Sequence, residues 1–225
     1  MLSVKNNITN SGFYIIRHSD TLPEERTILV SGIGRSGTTA AISCLYKGGL
    51  PQISSHLAQR TLDDWGIGTH FDNNDIGGLR REVVRRDQTS KVWGFKWHMV
   101  QTWSNKINLF RNPLLIVMYR DSVSISVRAR RDDANYHNVQ SLNKWMQDTA
   151  LWNMQLTQAV TQEISCPTLL VSYEKLIGSP EKIVPVMLDF CGLPFSEEAI
   201  KAIQPSINAY TNSEPVVSPK WKAIE

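Results

Sequence analysis

The chain has 225 residues, of which 41% are hydrophobic and 20% charged, and its formal net charge is +3. This length and composition favour one soluble globular domain over residues 1–225, with a core that needs neither disulfides nor metals. So small a basic excess argues against a strongly electrostatic nucleic-acid-binding protein, and it is compatible with a small anionic ligand held by a few local charges.

Short apolar runs alternate with longer helical patterns along the chain, which is typical of an α/β protein with a parallel sheet. The predicted strands cover residues 13–17, 27–31, 91–97, 114–119 and 168–172. The predicted helices cover residues 38–47, 77–88, 122–131, 141–163, 180–190 and 196–203. Two segments are predicted to be irregular, namely residues 63–78, which contain four glycines, and the tail over residues 206–225.

The longest predicted helix, residues 141–163, has one largely apolar face. The residues of this face recur at intervals of three or four, namely Leu142, Trp145, Met146, Thr149, Trp152, Leu156 and Val160. Because this is the period of a single helical face, we interpret the stripe as core packing rather than as a ligand site.

The spacing of the cysteines and the hydropathy of the chain indicate in which cellular compartment the protein is expected. Cys44, Cys166 and Cys191 are odd in number and widely spaced, so they indicate buried thiols rather than a disulfide framework or a metal site. The first residues are too polar for the apolar part of a secretory signal, and no apolar run approaches the ~20 residues that span a bilayer. We therefore expect a cytoplasmic protein without a transmembrane segment.

A glycine-rich turn follows the second predicted strand and leads directly into a helix. Its sequence over residues 32–39 is Gly-Ile-Gly-Arg-Ser-Gly-Thr-Thr. The backbone N–H groups of such a turn converge on one spot, where the helix N-terminus adds partial positive charge, so the turn is typical of a phosphate site. Thr38 and Thr39 can donate hydroxyl groups, and Arg35 adds a fixed cation with a planar set of donors.

Three chemistries can use a loop of this kind. A nucleoside triphosphatase or kinase requires a lysine before the last hydroxyl residue of the loop, whereas this chain has Thr38 there. A cysteine phosphatase requires a thiolate three residues before the first glycine, and that position is Leu29. The third chemistry is sulfuryl transfer from 3′-phosphoadenosine 5′-phosphosulfate (PAPS).

Residues 35–39, Arg-Ser-Gly-Thr-Thr, resemble position for position the Lys-Ser-Gly-Thr-Thr loop of the PAPS-dependent sulfotransferase family. The resemblance implies that the 5′-phosphate of PAPS is bound by Ser36, Gly37, Thr38 and Thr39. It also implies that Arg35, which replaces the lysine, contacts the bridging oxygen of the leaving group. Because a guanidinium stays protonated, Arg35 can act there only through its charge.

A second segment, residues 94–99, resembles the Lys-x-His segment of the same family, with the sequence Gly-Phe-Lys-Trp-His-Met. The resemblance makes His98 the implied general base and Lys96 the implied neighbour of the transferring group. An imidazole titrates close to neutral pH and suits the removal of a hydroxyl proton. His70, in the irregular segment, and Glu82 are alternative bases.

A third segment resembles the part of the family that binds the 3′-phosphate. Residues 114–121 form an apolar run that ends in Arg-Asp, which makes Arg120 the implied phosphate ligand. The proline and the serine that usually follow are here Ser122 and Arg128. The second ligand of this phosphate is therefore either Ser124, one helical turn before Arg128, or Arg128 itself.

A fourth segment extends the resemblance over most of the chain. Residues 173–194 resemble the Tyr-Glu-x-Leu to Phe-x-Gly-Leu-Pro segment of the family, in which the tyrosine, here Tyr173, often lies beside the adenine. The resemblance covers roughly residues 27–195 and implies a three-layer α/β/α sulfotransferase fold, related to the P-loop NTPases, with a central parallel sheet. In such a sheet, ligands bind at the carboxyl ends of the strands.

The implied function is transfer of a sulfuryl group from PAPS to a hydroxyl or amine, with release of PAP and without a metal. The acceptor is expected to be a small molecule or glycan, such as a carbohydrate or a lipid headgroup, in a pocket lined by residues 63–78, His56 and Trp65. Two alternatives stay open, namely a nucleotide-dependent kinase on a similar scaffold and a non-catalytic nucleotide-binding relative. The sequence indicates no particular oligomeric state.

Overall fold

The computed structural model describes residues 10–19, 21–54, 56–130 and 139–203. The strands are β1 (Phe13–Arg17), β2 (Arg26–Gly32), β3 (Val92–Lys96), β4 (Pro113–Tyr119) and β5 (Thr168–Ser172). The α-helices are α1 (Thr38–Lys47), α2 (Trp65–Asp72), α3 (Ile76–Thr89), α4 (Ser122–Arg130), α5 (Val139–Gln158), α6 (Tyr173–Gly178), α7 (Pro180–Phe190) and α8 (Glu197–Lys201). Two 3₁₀ turns, Val100–Thr102 and Ser104–Leu109, follow β3, and a π-helical turn, Ala159–Glu163, extends α5.

The five strands form one sheet in the order β1-β5-β4-β2-β3. The pairs β5–β4, β4–β2 and β2–β3 are parallel, as the sequence predicts. β1 differs, because it pairs antiparallel with β5, with Phe13 opposite Val171. An antiparallel strand at the edge of an otherwise parallel sheet is common in α/β proteins, and it leaves the central strands in the predicted arrangement.

Helices cover both faces of the sheet, which confirms the predicted three layers. Alternate residues of a strand point to opposite faces. Ile28 and Val30 of β2 therefore join a core that contains α1 and α7, whereas Leu29 between them joins a core that contains α2 and α3. All three side chains are almost completely buried, so both faces of β2 contribute to the hydrophobic stabilisation of the fold.

The core on the second face is rich in aromatic side chains. Phe71 stacks on Trp103 with ring centroids 4.6 Å apart, and Phe95 of β3 lies 5.1 Å from Phe110. Trp93, also on β3, is completely buried in the same cluster. Tightly packed rings of this size restrict the movement of their backbone. The aromatic cluster therefore holds the end of β3 in a fixed position.

Helix α2 lies within the segment 63–78 that the sequence predicts to be irregular, so that prediction is wrong over residues 65–72. The helix begins at Trp65 because the side chain of Asp64 accepts hydrogen bonds from the N–H groups of Gly66 and Ile67. Gly68 faces a tryptophan, since a Cβ there would lie 2.2 Å from the ring of Trp97. All four glycines of this segment lie in α2 or α3, and Gly68 serves close packing rather than a turn.

The apolar stripe on α5 is fully buried at only some of its positions. Thr149, Leu156 and Val160 are buried, as predicted for core packing. Trp145 and Trp152 are only partly buried, and their place beside a cavity is described below. The interpretation of the whole stripe as core is therefore wrong for Trp145, which lines a cavity, and for Met146, which is exposed.

The remaining predictions concern cysteines, membrane segments and the tail. Cys44, Cys166 and Cys191 are free and buried, as expected, and burial raises the pKa of Cys44 to about 12. Within the described ranges, every helix is too short or too polar to cross a membrane. The predicted irregular tail lies outside the described residues.

Candidate active site

The carboxyl ends of β2, β3 and β4 meet at one edge of the sheet, because the three strands are parallel neighbours. The register places Lys96, at the end of β3, opposite Val30 of β2. Beyond the strand, the N–H of Met99 donates to the carbonyl oxygen of Gly32 at 2.9 Å. This bond draws the segment that follows β3 against the glycine-rich loop, residues 32–37, so two of the predicted motifs lie side by side.

The glycine-rich loop ends in a turn that requires glycine. Gly37 has a φ of +98°, and a Cβ there would lie 2.1 Å from the ring of Tyr173. Gly37 is also the N-cap of α1, and no side chain caps that helix, whereas Asp64 and Asp75 cap α2 and α3. The first turn of α1 therefore presents backbone N–H groups and partial positive charge to the space above the loop.

Arg120 connects the end of β4 to this loop. Tyr119 pairs with Ser172 in parallel register, so Arg120 and Tyr173, which follow them, leave the sheet side by side. The guanidinium carbon of Arg120 lies 4.6 Å from the centroid of the tyrosine ring. One of its N–H groups donates to the carbonyl oxygen of Arg35 at 3.2 Å. The ring contact and the hydrogen bond hold the guanidinium in place beside the loop.

Lys96 is a buried cation with oxygen neighbours from two segments. Its ammonium donates to the carbonyl oxygen of Thr61 at 2.7 Å and to the hydroxyl of Thr39 at 3.4 Å. It also lies 2.6 Å from the carboxylate of Asp63. Burial lowers the pKa of Lys96, and the hydrogen bond and charge of Asp63 oppose that change. Through Thr61 and Asp63 on one side and Thr39 on the other, Lys96 therefore connects the segment before α2 with the start of α1.

His98 lies between the glycine-rich loop and the second core, which is the aromatic-rich core that contains α2 and α3. Its ring stacks on Trp97 at 4.9 Å between centroids, and its carbonyl oxygen accepts a hydrogen bond from the indole of Trp103 at 3.0 Å. Desolvation lowers the pKa of His98, while the charges of Asp63 and Lys96 act in opposite directions. Desolvation therefore favours the neutral imidazole, which can accept a proton.

One cavity of about 920 Å³ unites these groups, and we name it the cationic cavity. Its described lining includes five cationic side chains, namely Arg35, Arg60, Lys96, Arg120 and Arg128. Among the described residues, the only carboxylate that lines it is that of Asp63. Such an excess of positive charge suits a ligand that carries several negative charges.

A second cavity, of about 600 Å³, adjoins the first, and we name it the apolar cavity. The two cavities share Gly34, Arg35 and His98. The rest of the described lining of the apolar cavity is formed by Met99, Ile125, Ala129, Trp145 and Trp152. The two indole rings lie edge to face with centroids 6.1 Å apart. Two indole rings and the imidazole of His98 therefore line the same cavity.

Solved structures of sulfotransferases share this architecture. STF1 from Mycobacterium tuberculosis H37Rv superposes with a TM-score of 0.52 at 14% identity, over 81% of this chain and 71% of that one. STF9 from Mycobacterium avium gives 0.52 at 12% identity, over 86% and 70% of the two chains. The sulfotransferase domain from the curacin biosynthetic pathway gives 0.50 at 15%, over 79% and 77%. The chain has the sulfotransferase fold. No protein-family model matches the sequence, and no curated protein matches it significantly.

Within this sulfotransferase fold, most of the predicted site residues line the cationic cavity. They are Arg35, Gly37, Thr38, Thr39, Lys96, His98, Arg120, Arg128 and Tyr173. Ser36 has a different place, because its hydroxyl is buried beneath the loop, where a Cβ on Gly32 would lie 2.4 Å from it. Ser124 lies in the first turn of α4, and its N–H donates to the carboxylate of Asp121. Of the two candidates for the second 3′-phosphate ligand, the structure brings Arg128 to the cavity.

The alternative bases lie elsewhere in the sulfotransferase fold. The imidazole Nδ1 of His70 lies 3.0 Å from the carboxylate of Asp75, at the junction of α2 and α3. The carboxylate of Glu82 accepts hydrogen bonds from Arg85 and Arg86, each at 2.7 Å in its closest contact. Within the described lining of the two cavities, His98 is the only one of the three candidates.

The segment expected to line an acceptor pocket contributes only its first residue. Asp63 lines the cationic cavity, but the described linings of both cavities lack His56 and Trp65. The ring of Trp65 instead packs edge to face on Trp97, with centroids 5.1 Å apart.

Sequence reasoning missed two parts of this site. The segment Gln59–Leu62 lines the cationic cavity but carries no motif, so no signal in the sequence points to it. Trp145 and Trp152 line the apolar cavity, and their spacing of seven places them on one helical face without showing what that face meets. Among the described residues, no group of three or more His, Cys, Asp or Glu side chains could hold a metal ion.

Proposed function

We propose that the protein is a sulfotransferase that moves a sulfuryl group from PAPS to an acceptor hydroxyl or amine and releases PAP. The observation that carries the proposal is the cationic cavity at the strand ends of a sulfotransferase fold, with five cations and one carboxylate in its described lining. PAPS bears a 3′-phosphate and a 5′-phosphosulfate. It therefore needs positive charge at two separate places.

The cations come from two such places in the chain. Arg35 and Lys96 belong to the loop after β2 and to the end of β3, where the uncapped N-terminus of α1 adds its partial charge. Arg120 and Arg128 belong to the end of β4 and to α4. The first pair suits the phosphosulfate and the second suits the 3′-phosphate, which agrees with the roles that the motifs imply.

The chemical step requires a base and a counter-charge from this chain. PAPS supplies a sulfuryl group that is already activated by its bond to phosphate. His98 accepts the proton of the acceptor hydroxyl as the new oxygen–sulfur bond forms. Arg35 and Lys96 offset the negative charge on the bridging oxygen, which keeps the electron pair of the broken sulfur–oxygen bond and leaves with PAP.

Calorimetry and transfer assays test this proposal. The wild-type protein should bind PAP and transfer radiolabelled sulfuryl groups from PAPS to an acceptor. Arg120→Ala should weaken PAP binding by about thirtyfold to a hundredfold, since one charge-assisted contact is worth ~2–3 kcal/mol. Arg80→Ala, which removes an exposed arginine of α3, is the matched control and should leave PAP binding unchanged.

Three other outcomes would contradict the proposal in distinguishable ways. Tight binding of ATP–Mg²⁺ without binding of PAP would indicate a kinase. Tight binding of PAP without transfer to any acceptor would indicate a non-catalytic nucleotide-binding protein. Equal loss of PAP affinity in the Arg120 and Arg80 variants would show that the nucleotide binds outside the cationic cavity.

A further inference from the structure

We propose that Arg86 is a positioning residue for sulfuryl transfer, because it holds in place the segment before α2, residues 57–64, which orients the ammonium of Lys96. Arg86 lies on α3, and the described linings of both cavities lack it. It acts through other residues rather than on the nucleotide. This inference rests on the proposed function, in which Lys96 offsets the charge on the bridging oxygen.

Arg86 and Asp64 form an ion pair inside the protein. Their side chains are 1% and 0% exposed. Two guanidinium N–H groups donate to the two carboxylate oxygens, at 2.5 and 3.0 Å, which is a paired geometry that lysine cannot reproduce. A third N–H group donates to Glu82 at 2.7 Å. Displacing either partner of the pair would leave an unpaired charge in the interior, so the pair fixes Asp64 relative to α3.

Asp64 and its neighbours contact Lys96 at both its backbone and its side chain. The N–H of Asp64 donates to the carbonyl oxygen of Lys96 at 3.2 Å. The carboxylate of Asp63 lies 2.6 Å from the ammonium, and the carbonyl oxygen of Thr61 accepts a hydrogen bond from it at 2.7 Å. The segment that Arg86 holds therefore determines where the ammonium lies and where its N–H groups point.

Arg86 also contacts the strand that ends in Lys96. Its guanidinium carbon lies 5.2 Å from the centroid of the Trp93 ring, and Trp93 is completely buried on β3, three residues before Lys96. A guanidinium beside an indole ring is held there by a cation–π attraction. Arg86 thus fixes β3 and the segment before α2 relative to each other.

The segment before α2 contains a residue in an unfavourable conformation. Leu57 and Asp64 form a β-bridge at its base, and the N–H of Ala58 donates to the carbonyl oxygen of Asp63 at 2.9 Å. Between them, Leu62 has a φ of +57°, in the left-handed region that leucine rarely adopts. Such a conformation persists only where surrounding contacts impose it, and the ion pair of Asp64 is such a contact at the base of the segment.

The position of Lys96 matters more for the chemical step than for nucleotide binding. Negative charge develops on the bridging oxygen only as the sulfur–oxygen bond breaks, so a cation fixed beside that oxygen lowers the barrier. A displacement of about 1 Å at such a group, even when a distant substitution causes it, can lower the rate by about a hundredfold. PAP, in which that bond is already broken, should depend less on the exact place of the ammonium.

The experiment follows the cleavage of radiolabelled PAPS to PAP, with p-nitrophenol as the probe acceptor. Arg86→Lys keeps the charge but not the paired geometry, and it should lower kcat by about tenfold. Arg86→Ala should lower kcat by about a hundredfold. Calorimetry should find the affinity of both variants for PAP within about threefold of the wild type. Arg85→Ala is the matched control, since Arg85 precedes Arg86 on α3 and also pairs with Glu82, and it should change neither quantity.

The pH profile provides a measurement that a purely structural role would not change. Burial lowers the pKa of Lys96, the hydrogen bond and charge of Asp63 raise it, and the charge of Arg35 lowers it. When the segment moves, the ammonium loses its counter-charge and its proton leaves at a lower pH. The alkaline decline of kcat should therefore move to lower pH in Arg86→Lys. His98 is already neutral at that pH, because desolvation lowers its pKa.

A stability control completes the test. Val83→Ala opens a cavity at a buried position of α3, so it should lower the Tm but leave kcat and its alkaline decline in place. The inference would be overturned by a wild-type kcat and pH profile in Arg86→Lys, which keeps the test in force if the alanine variant does not fold. An equal fall in kcat in the Arg86 and Val83 variants would also overturn it. Absence of PAP binding and PAPS cleavage in the wild type would instead overturn the proposed function, and this inference with it.

Discussion

The two cavities share an edge but are built from different kinds of structure. The cationic cavity is formed mainly by segments that leave the ends of parallel strands, so the register of β2, β3 and β4 places its charges. The apolar cavity takes half of its described lining from α4 and α5, so the packing of these two helices shapes it together with the segments that follow β2 and β3. Three of its eight described lining residues also line the cationic cavity, so the two cavities are coupled at their common edge.

His98 is where a substitution should have the largest effect, since this residue lines both cavities. His98→Ala removes the proposed base and should lower kcat by about a hundredfold to ten-thousandfold, the usual range for loss of a general base. The affinity for PAP should stay close to that of the wild type. Steady-state kinetics with saturating PAPS and calorimetry with PAP measure the two quantities.

His70→Ala is the matched control for that substitution, because His70 lies beside Asp75 and away from both described linings. It should leave kcat within about twofold of the wild type, the range of substitutions outside a site. Loss of turnover in the His70 variant with normal turnover in the His98 variant would reverse the assignment of the base.

Gly37→Ala should affect only the cationic cavity. The new Cβ would clash with the ring of Tyr173. The alanine would also have to adopt the left-handed φ of Gly37, which costs ~1–2 kcal/mol in itself. We expect a lower Tm and PAP binding weakened by about tenfold or more. Thermal unfolding and calorimetry provide the measurements.

Gly49→Ala isolates the backbone part of this effect. Gly49 has the same φ of +98°, but no atom lies within 4 Å of the position that a Cβ would take. This variant should lose stability through strain alone and should bind PAP normally. If both glycine variants lost PAP affinity equally, global strain rather than the turn beside Tyr173 would explain the loss.

Asp63→Asn should produce a smaller change, visible only in the pH profile. Asp63 opposes the lowering of the pKa of Lys96 that burial causes. Without its charge the ammonium loses its proton at a lower pH, so the alkaline decline of kcat should move to lower pH. Asp189→Asn, at an exposed position of α7, should leave the profile in place, and an unchanged profile in both variants would exclude Lys96 as the group that titrates.

The smallest effect concerns the acid side of the wild-type profile. A protonated imidazole cannot act as a base, so kcat/KM should fall as the pH drops through the pKa of His98. Because desolvation lowers that pKa, the midpoint should lie below about 6.5, the ordinary value of a histidine. A midpoint above this value would show that nearby negative charge outweighs desolvation.

Most of the fold and most residues of the cationic cavity can be predicted from local patterns in the sequence. All five predicted strands are present, and helices 38–47 and 180–190 have the predicted bounds. Hydrophobic periodicity and turn chemistry are local properties of the chain, so they can be read without coordinates. The motifs at the ends of β2, β3 and β4 were also visible, because each follows its strand directly.

The residues that face those motifs cannot be predicted in the same way, because they depend on packing between distant parts of the chain. Residues 59–62 line the cationic cavity. The hydrogen bond from Lys96 to the carbonyl oxygen of Thr61 holds them there, and it joins residues that are far apart in the chain. Whether Trp145 and Trp152 are core or cavity wall depends on where α5 leaves the second core. A helical period specifies which residues share a face, but only packing against other elements specifies what that face meets.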